Sequence, residues 1–255
     1  MGKRLLKIRI IPTLLWKHDN LVKGINFDNS RKVGFVLPAI KVYNMRQVDE
    51  LIFLDVTASL ENKSPDFVLI SDFSSECFVP LTVGGGIKSI EDIRLLLKAG
   101  ADKICINSIT FKNSDFITQA AKIFGSQCIV VSIDVRKNAR NFYECYSHSG
   151  TINTGINLLD WIKEVEFRGA GEIIITSIDK DGTMQGYDQE LIKLVYKNVR
   201  IPVIASGGAN NYEDMYQAIK NGASAIAAAS IFHFTEQTPL EAKKYLFKKD
   251  ILIRL

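Results

Sequence analysis

The sequence predicts a (βα)8 barrel, and three observations support that prediction. Short apolar, β-branched runs alternate with longer amphipathic runs, so the repeating unit is a strand followed by a helix. The apolar runs contain few polar positions, which indicates strands buried on both faces of a parallel sheet. Motifs of the first half also recur in the second half. Eight βα units in 255 residues fit a closed barrel better than an open sheet, and we expect one domain over residues 1–255.

The predicted elements follow one another in regular order. Strands are expected at residues 8–15, 51–56, 79–83, 103–107, 128–134, 172–177, 202–206 and 225–229. One helix is expected after each strand, near residues 33–48, 65–77, 89–99, 114–124, 156–168, 187–198, 211–221 and 238–248. The chain has no Pro/Gly/Ser-rich linker and no low-complexity segment, which favours a single domain.

The internal repeat divides the predicted barrel into two similar halves. VPLTVGGGI at 79–87 matches IPVIASGGA at 201–209, a shift of 122 residues. ICINSITF at 104 matches AIAAASIF at 225, and ELIFLDVTAS at 50 matches EIIITSIDKD at 172, shifts of 121 and 122. The alternative is a chance similarity between apolar strands, but the glycines and the trailing serines align as well.

Charge and cysteine content exclude several classes of protein. The net charge of +4, from 32 basic and 28 acidic residues, is too mild for a nucleic-acid partner but suits a small anionic ligand. No apolar run approaches the roughly 18 residues of a membrane span, and Lys7 and Arg9 interrupt the apolar start. Four scattered cysteines and three histidines argue against a metal site or a disulfide framework. We expect a cytoplasmic protein without metal or cofactor.

Two glycine-rich turns predict anion binding at the carboxyl ends of the strands. They are 84–86 and 207–208, and each is followed one strand later by a pair of small residues, 107–108 (Asn-Ser) and 229–230 (Ala-Ser). Glycines let backbone N–H groups approach a phosphate, and the next helix N-terminus adds a favourable dipole. Two equivalent turns therefore predict an elongated bisphosphate ligand. The alternative is that the glycines only permit tight turns.

Asp134 is the predicted catalytic residue, because it ends the fifth strand where a carboxyl group would face the site and could transfer protons. The alternative is a surface aspartate in a loop. The repeat predicts a partner acid near position 15, but the sequence has Leu15 there. Asp55 and Asp181 remain as further acids at strand ends.

A second group of charged residues stands at the other ends of the strands, where the strands begin. Its members are Arg9, Glu50, Lys103 and Glu172. Two cations and two anions could form a neutral ring at the bottom of the barrel, which would offset the cost of burying them and could gate a central path. The alternative is four independent, solvated charges.

The ordered motifs of the chain resemble those of the HisF family, the cyclase subunits of imidazole glycerol phosphate synthase. They include IIPTLLWKHDNLVKGINF, DELIFLDVTAS, PLTVGGGI, GADKICINS, FGSQCIVVSIDV, NTGINLLDW, RGAGEIIITSIDKDGTMQGYD, PVIASGGA and AAASIFHF, and they span essentially the whole chain. The resemblance implies a (βα)8 barrel paired with a HisH-like glutaminase. Ammonia would cross the barrel and react with a ribulosyl bisphosphate intermediate, giving imidazole glycerol phosphate and an aminoimidazole carboxamide nucleotide.

The resemblance also implies roles for particular residues. One phosphate would be bound by Gly86, Asn107 and Ser108. The other would be bound by Asp181, Gly182, Gly208, Ala229 and Ser230. Other ligand-facing positions would be Lys23, Asp55, Thr176 and Ser206. The charged group at the bottom would be the family's ammonia gate, and Asp102 would lie at the glutaminase interface.

Two features depart from the family pattern. The family uses two catalytic aspartates, and Asp134 matches the second, whereas Leu15 replaces the first. Loss of one of two positioned acid/base groups typically costs about 10²–10⁴-fold in rate. Residues 29–38 (NSRKVGFVLP) also depart from the usual glycine–aspartate–proline run.

A paralogous group of HisF-like proteins is similar to this chain in its Leu-Leu after the first strand, in SPDFVLISDFSSECF and in VVSIDVRKN. Those proteins occur with HisH-like glutaminases and a sugar amidotransferase and serve acetamidino modification of surface-glycan sugars. We therefore expect an ammonia-handling subunit specialised away from histidine synthesis. The alternatives are a histidine cyclase that tolerates Leu15 and a non-catalytic activator of the glutaminase, although an activator would not need two phosphate sites.

Overall fold

The structure is a computed structural model that describes residues 7–18 and 20–255. Its strands are β1 (Arg9–Lys17), β2 (Asn20–Ile25), β3 (Asp28–Gly34), β4 (Leu51–Asp55), β5 (Leu81–Gly84), β6 (Lys103–Ile106), β7 (Ile129–Lys137), β8 (Tyr143–Ser147), β9 (Ile152–Asn157), β10 (Glu172–Ser177), β11 (Val203–Ser206) and β12 (Ala225–Ala228). Its α-helices are α1 (Val36–Met45), α2 (Phe67–Ser75), α3 (Ile90–Lys98), α4 (Ser108–Lys112), α5 (Asp115–Phe124), α6 (Leu158–Phe167), α7 (Gln189–Asn198), α8 (Tyr212–Lys220), α9 (Ser230–Phe234) and α10 (Pro239–Lys248).

Eight of the strands form a closed parallel barrel. They are β1, β4, β5, β6, β7, β10, β11 and β12, each hydrogen-bonded to its two neighbours. Closure follows because β1 pairs in parallel with both β12 and β4, and β7 pairs with both β6 and β10. The predicted (βα)8 barrel is therefore confirmed. Two predicted helices start inside strands. The helix predicted from residue 33 begins at Val36, because residues 33 and 34 end β3, and the helix predicted from residue 156 begins at Leu158, because residues 156 and 157 end β9.

Side chains of the barrel strands alternate between two apolar cores. Outward residues such as Ile10, Leu14 and Val131 pack with the surrounding helices. Inward residues form a separate group, named here the axial cluster: Ile11, Ile52, Cys105, Val130, Ile174, Ile204, Ala225 and Ala227. This arrangement follows from the two-residue period of a strand and explains why the strands are apolar on both faces.

The internal repeat is visible in the backbone as well as in the sequence. Helices α3 and α8 both span nine residues and start 122 positions apart, at 90 and 212. Both begin with a capping box, Ser89 with Asp92 and Asn211 with Asp214. The five-residue helices α4 and α9 also start 122 positions apart, at 108 and 230. The two halves therefore use the same local signals at the same places.

Two β-hairpins that the sequence analysis did not predict extend from opposite sides of the barrel. The first hairpin (β2–β3) pairs antiparallel with the end of β1, and the second hairpin (β8–β9) pairs antiparallel with the end of β7. They occupy equivalent places in the two halves. Their tips meet, because a Cβ on Gly150 would lie 2.9 Å from Cδ2 of Phe27. Both tips bend through positive φ, 65° at Phe27 and 77° at Gly150.

Within residues 7–18 and 20–255, no helix has both the length and the apolar character that crossing a membrane requires.

Candidate functional site

A cavity of about 270 Å³ opens at the carboxyl ends of the barrel strands. Every ligand-facing residue predicted from the sequence lines it: Lys23, Asp55, Gly86, Asn107, Ser108, Asp134, Thr176, Asp181, Gly182, Ser206, Gly208, Ala229 and Ser230. Ligands of (βα)8 barrels bind at this face. The structure thus brings residues from both halves to one place, while their roles in binding stay predictions.

The two glycine turns lie on this cavity and require glycine. Gly86 has φ +72°, and a Cβ there would come within 2.6 Å of the Lys63 carbonyl oxygen. Gly208 has φ +104°, and a Cβ there would come within 2.3 Å of the Gly186 carbonyl oxygen. Any side chain would therefore force the backbone apart as well as strain it. The turns are close-packed main chain, and both present their backbone to the cavity.

Helices α4 and α9 begin beside these turns in an unusual way. Their first flanking residues, Asn107 (φ −135°, ψ −84°) and Ala229 (φ −127°, ψ −69°), adopt nearly the same conformation. Unlike α3 and α8, neither helix has a side-chain cap among the described residues. In that same part of the chain, the buried Asn107 Oδ1 and Ser230 Oγ lack a hydrogen-bond partner. Buried polar atoms are rarely left unpaired, so both indicate a place where a polar ligand would bind.

Asp134 is the buried carboxyl group of the site. Its Oδ2 accepts a hydrogen bond from Asn107 Nδ2 at 2.9 Å, and Ser132 Oγ lies 3.5 Å from its Oδ1. Burial raises the pKa of Asp134 to about 7, and the Asp181 charge adds to that rise, although hydrogen bonds from Ser132 and Thr176 oppose it. A carboxyl group with this pKa can both donate and accept a proton near neutral pH.

Asp181 forms an ion pair with Lys23, which comes from the first hairpin. The Lys23 side chain is 2% exposed, so its ammonium is held inside the site. Asp55 is held differently, because its Oδ1 accepts hydrogen bonds from Thr57 N, Thr57 Oγ1 and Ala58 N at 2.8–2.9 Å. These contacts fix the turn after β4.

Leu15 lines the cavity on strand β1, opposite Asp134 on β7. It pairs across strands with Val22 of the first hairpin and with Leu54 of β4, which also line the cavity. This side of the site is therefore an apolar wall. Leu15, in this wall, occupies the position where the repeat predicts a second carboxyl group.

The charged group at the other end of the barrel forms a closed ring, named here the basal ring. Arg9 bonds Glu50 at 2.6 Å and Glu172 at 2.7 Å, and Lys103 Nζ bonds the same two carboxylates at 3.0 and 2.9 Å. Thr82 Oγ1 also donates to Glu50, at 2.7 Å. Burial would raise the pKa of Glu172, but Arg9 and Lys103 hold it below its usual range. The alternative of four independent charges is therefore wrong.

Asp102 stands beside the basal ring, where its Oδ2 accepts a hydrogen bond from Leu81 N at 2.8 Å. The residue is exposed. Its predicted place at a glutaminase interface stays a prediction.

Several residues that line the cavity were not predicted from the sequence: Thr13, Phe27, Leu54, Ser132, Ser149, Thr151 and Met184. Thr13 and Ser132 stand two positions before Leu15 and Asp134, so strand alternation could have found them. The others belong to loops and hairpins, or depend on the closed barrel. The described residues contain no group of three or more His, Cys, Asp or Glu placed to hold a metal ion.

The fold and the site together define a duplicated (βα)8 barrel with a cavity lined by both glycine turns at one end and a basal ring at the other. Comparison with known proteins places it further: a family model described as "Histidine biosynthesis protein" matches residues 9–238. The chain belongs to this histidine biosynthesis family.

Curated relatives match over nearly the whole length. The chain is 51% identical to imidazole glycerol phosphate synthase subunit HisF of Dictyoglomus thermophilum, over 98% of this chain and 100% of that protein. It is 47% identical to the HisF subunit of Natranaerobius thermophilus (98% and 100%) and 45% identical to that of Thermococcus onnurineus (98% and 99%). The predicted family is confirmed. These relatives favour the histidine-synthesis alternative, and they give no support to the glycan-amidination paralogue that the sequence analysis preferred.

Proposed function

We propose that this chain is the HisF-type subunit of an imidazole glycerol phosphate synthase. It would take ammonia at the basal ring and use it on a bisphosphate ligand in the cavity. The observation that carries the proposal is Asp134, a carboxyl group with a pKa of about 7 inside a cavity lined by both glycine turns. An elongated ligand held at both turns would lie across this carboxyl group.

The two ends of the ligand would be bound by equivalent sets of groups. The set Gly86, Asn107 and Ser108 would hold one phosphate, and the set Asp181, Gly182, Gly208, Ala229 and Ser230 the other. Support comes from the uncapped starts of α4 and α9 and from the unpaired Ser230 Oγ in the described residues. Lys23 offsets the Asp181 carboxylate, so an anion there would not meet an unbalanced negative charge.

The chemistry would be addition of ammonia to the ribulosyl carbonyl, followed by cleavage and ring closure. Products would be imidazole glycerol phosphate and an aminoimidazole carboxamide nucleotide. Asp134 would move the protons, and Lys23, Asp55, Thr176 and Ser206 would hold the middle of the ligand. Because the opposite wall presents Leu15, Asp134 would serve as both proton donor and proton acceptor.

Ammonia would come from a HisH-like glutaminase bound at the bottom of the barrel, near Asp102. The path would run through the basal ring and along the axial cluster, whose apolar side chains would let neutral NH3 pass in preference to ammonium. We expect this pair to work in the cytoplasm. Cys77, Cys105, Cys128 and Cys145 are free thiols, as a reducing compartment allows.

A second candidate function is delivery of ammonia to another acceptor, such as a sugar amidotransferase partner. One observation favours it: Leu15 and Leu54 make an apolar wall where a second proton-transferring group would stand. In that case the cavity would bind a phosphorylated ligand without cyclising it.

The test is turnover of the ribulosyl bisphosphate intermediate with an ammonium salt by the purified chain. We expect turnover, a loss of about 10²–10⁴-fold in Asp134→Asn, and a gain in Leu15→Asp. Asp179→Asn, at an exposed aspartate of the same face, is the matched control and should leave the rate unchanged.

Other outcomes separate the alternatives. A silent wild-type chain that gains turnover as Leu15→Asp would support the second candidate. Stimulation of a glutaminase that survives in Asp134→Asn, with no product from any acceptor, would leave only the role of a non-catalytic activator.

A further inference from the structure

We propose that the Thr13 and Ser132 hydroxyls form an ammonia-binding site at the inner end of the axial cluster, directly beneath Asp134 and the bound ligand. The inference rests on the proposed function, in that ammonia is the substrate that enters from below. The inference adds to the proposed function a site that would bind ammonia before it reacts.

The two hydroxyls occupy equivalent positions in the two half-barrels. Thr13 stands two residues before Leu15 on β1, and Ser132 stands two residues before Asp134 on β7. Both pairs are 119 residues apart, from 13 to 132 and from 15 to 134. Strands β1 and β7 are four places apart in a closed barrel of eight, so the hydroxyl groups extend from opposite walls.

Both side chains face the axis of the barrel. On β1 the alternate residues Ile10 and Leu14 belong to the outer core, whereas Ile11 belongs to the axial cluster. On β7 the same alternation places Val131 outside and Val130 inside. Thr13 and Ser132 continue the inner series, and both line the cavity. Each is 9% exposed.

The order of side chains along each strand gives the site its place on the ammonia path. From the bottom, β1 presents Arg9 of the basal ring, then Ile11, then Thr13. Four residues of strand span about 13 Å. On β7, Val130 is followed by Ser132 and then Asp134. The hydroxyls are therefore the polar groups that ammonia would meet between the axial cluster and Asp134 on these two strands.

The hydrogen-bonding state of the two groups suits ammonia. Ser132 Oγ lies 3.5 Å from Asp134 Oδ1, so its hydrogen points to the carboxylate and its lone pairs remain available to accept. Thr13 Oγ1 is buried and has no hydrogen-bond partner in the described residues. Each hydroxyl oxygen could accept an N–H group of ammonia, which would keep its own lone pair free for attack on a carbonyl carbon. An unpaired buried hydroxyl is costly to a fold, which indicates a ligand in that position.

The first test measures the KM for ammonia and the KM for the bisphosphate ligand separately. In Ser132→Ala and Thr13→Val we expect the KM for ammonia to rise at least 5-fold and the KM for the bisphosphate to stay unchanged. Ser132→Thr restores a hydroxyl and should lower the KM for ammonia again. The matched control is Thr154→Val, which removes a hydroxyl that donates to the Cys145 carbonyl on the second hairpin. An unchanged KM for ammonia, or an equal rise in both KM values, overturns the inference.

The second test needs no turnover, so it separates the inference from the proposed function. The chain is labelled with carboxyl-¹³C aspartate, and the Asp134 resonance is identified by its absence in Asp134→Asn. Ammonium chloride is then titrated at mildly alkaline pH against sodium chloride of equal ionic strength. We expect a shift of the Asp134 resonance in wild type that needs at least 5-fold more ammonia in the double variant Thr13→Val, Ser132→Ala.

The two tests together leave clear outcomes. An ammonia-dependent shift in wild type that weakens in the double variant, with no turnover of the ribulosyl substrate, supports the ammonia site and rejects the cyclase. The absence of any ammonia-dependent shift, or an equal midpoint in the double variant, rejects the ammonia site whether or not turnover occurs.

Discussion

The first half of the barrel, from β1 to α5, and the second half, from β7 to α10, follow one backbone plan. Both halves have a hairpin after their first strand, a glycine turn after their third and a five-residue helix after their fourth. They differ in the side chains that face the cavity from their first strands, which are Leu15 in one half and Asp134 in the other. The glycine turns are duplicated, whereas the carboxyl group with a raised pKa is not.

This difference shows which functional requirements keep the two halves similar and which do not. A ligand with an anion at each end needs two similar turns, and each turn depends on glycine and close-packed main chain. Proton transfer needs a carboxyl group at a place fixed by the reacting atoms, and one strand can supply it. The basal ring lies between these two cases. Glu50 and Glu172 are equivalent residues of the two halves, but they differ in burial and in hydrogen-bond partners.

The largest expected effect is the contribution of Asp134 to the pH dependence of stability. Its folded pKa of about 7 lies above its unfolded value, so the folded state binds more protons between about pH 4 and pH 7. Stability is therefore lost as the pH rises through this window, by at most about 4 kcal/mol. Urea unfolding of wild type and Asp134→Asn at pH 5 and pH 8 measures this, and the stability difference between the two proteins should change with pH. A pH-independent difference would contradict it.

A smaller effect is expected at the basal ring. Glu50, whose side chain is 2% exposed, bonds Arg9, Lys103 and Thr82, whereas Glu172, at 13%, bonds Arg9 and Lys103. We expect Glu50→Gln to lower the free energy of unfolding by about 3 kcal/mol and Glu172→Gln by less, because the same two cations lose a partner in both variants but the Glu50 carboxylate is more buried and also accepts a hydrogen bond from Thr82.

Urea unfolding at pH 7 checks this order. The matched control is Glu91→Gln, which removes an exposed pair with Arg94 and should cost no more than about 0.5 kcal/mol. Equal losses of unfolding free energy in Glu50→Gln and Glu172→Gln would contradict this prediction and show that the two glutamates stabilise the basal ring equally.

The smallest expected effect tests whether the duplicated caps are energetically equal. Ser89→Ala in the first half and Asn211→Ala in the second should each cost about 1 kcal/mol, since each removes a side-chain cap from a nine-residue helix. Ser75→Ala, at the exposed end of α2, is the control and should cost less than half as much. Thermal unfolding of the three variants measures this, and a twofold difference between the two caps would break the equivalence of the halves.

The barrel could be predicted because parallel strands buried on both faces leave apolar runs in the sequence. The hairpins could not, because β2, β3 and β9 are only partly buried and their strands are held by pairing with β1 and β7. Residue 33 illustrates the error: a segment that continued the helical pattern is drawn into β3 by its partner strand.

The repeat made part of the candidate site predictable, and the family resemblance added other lining residues such as Lys23, Thr176 and Ser206. Gly86 and Gly208, or Ser108 and Ser230, could be found because each residue identifies its equivalent in the other half. The ion pair of Lys23 with Asp181 joins residues 158 positions apart, and no local pattern encodes it. The raised pKa of Asp134 likewise depends on burial, which follows from the closed barrel.

The contact between Phe27 and Gly150 has a consequence for how a ligand enters and leaves. The two hairpin tips extend from opposite walls of the barrel and contact each other above the opening of the cavity. A long molecule bound at both walls must pass one end beneath this contact, or the two hairpin tips must separate to admit it. Loading would then be slower than simple diffusion, and once inside the molecule would be retained long enough for a scarce second reactant to arrive from below.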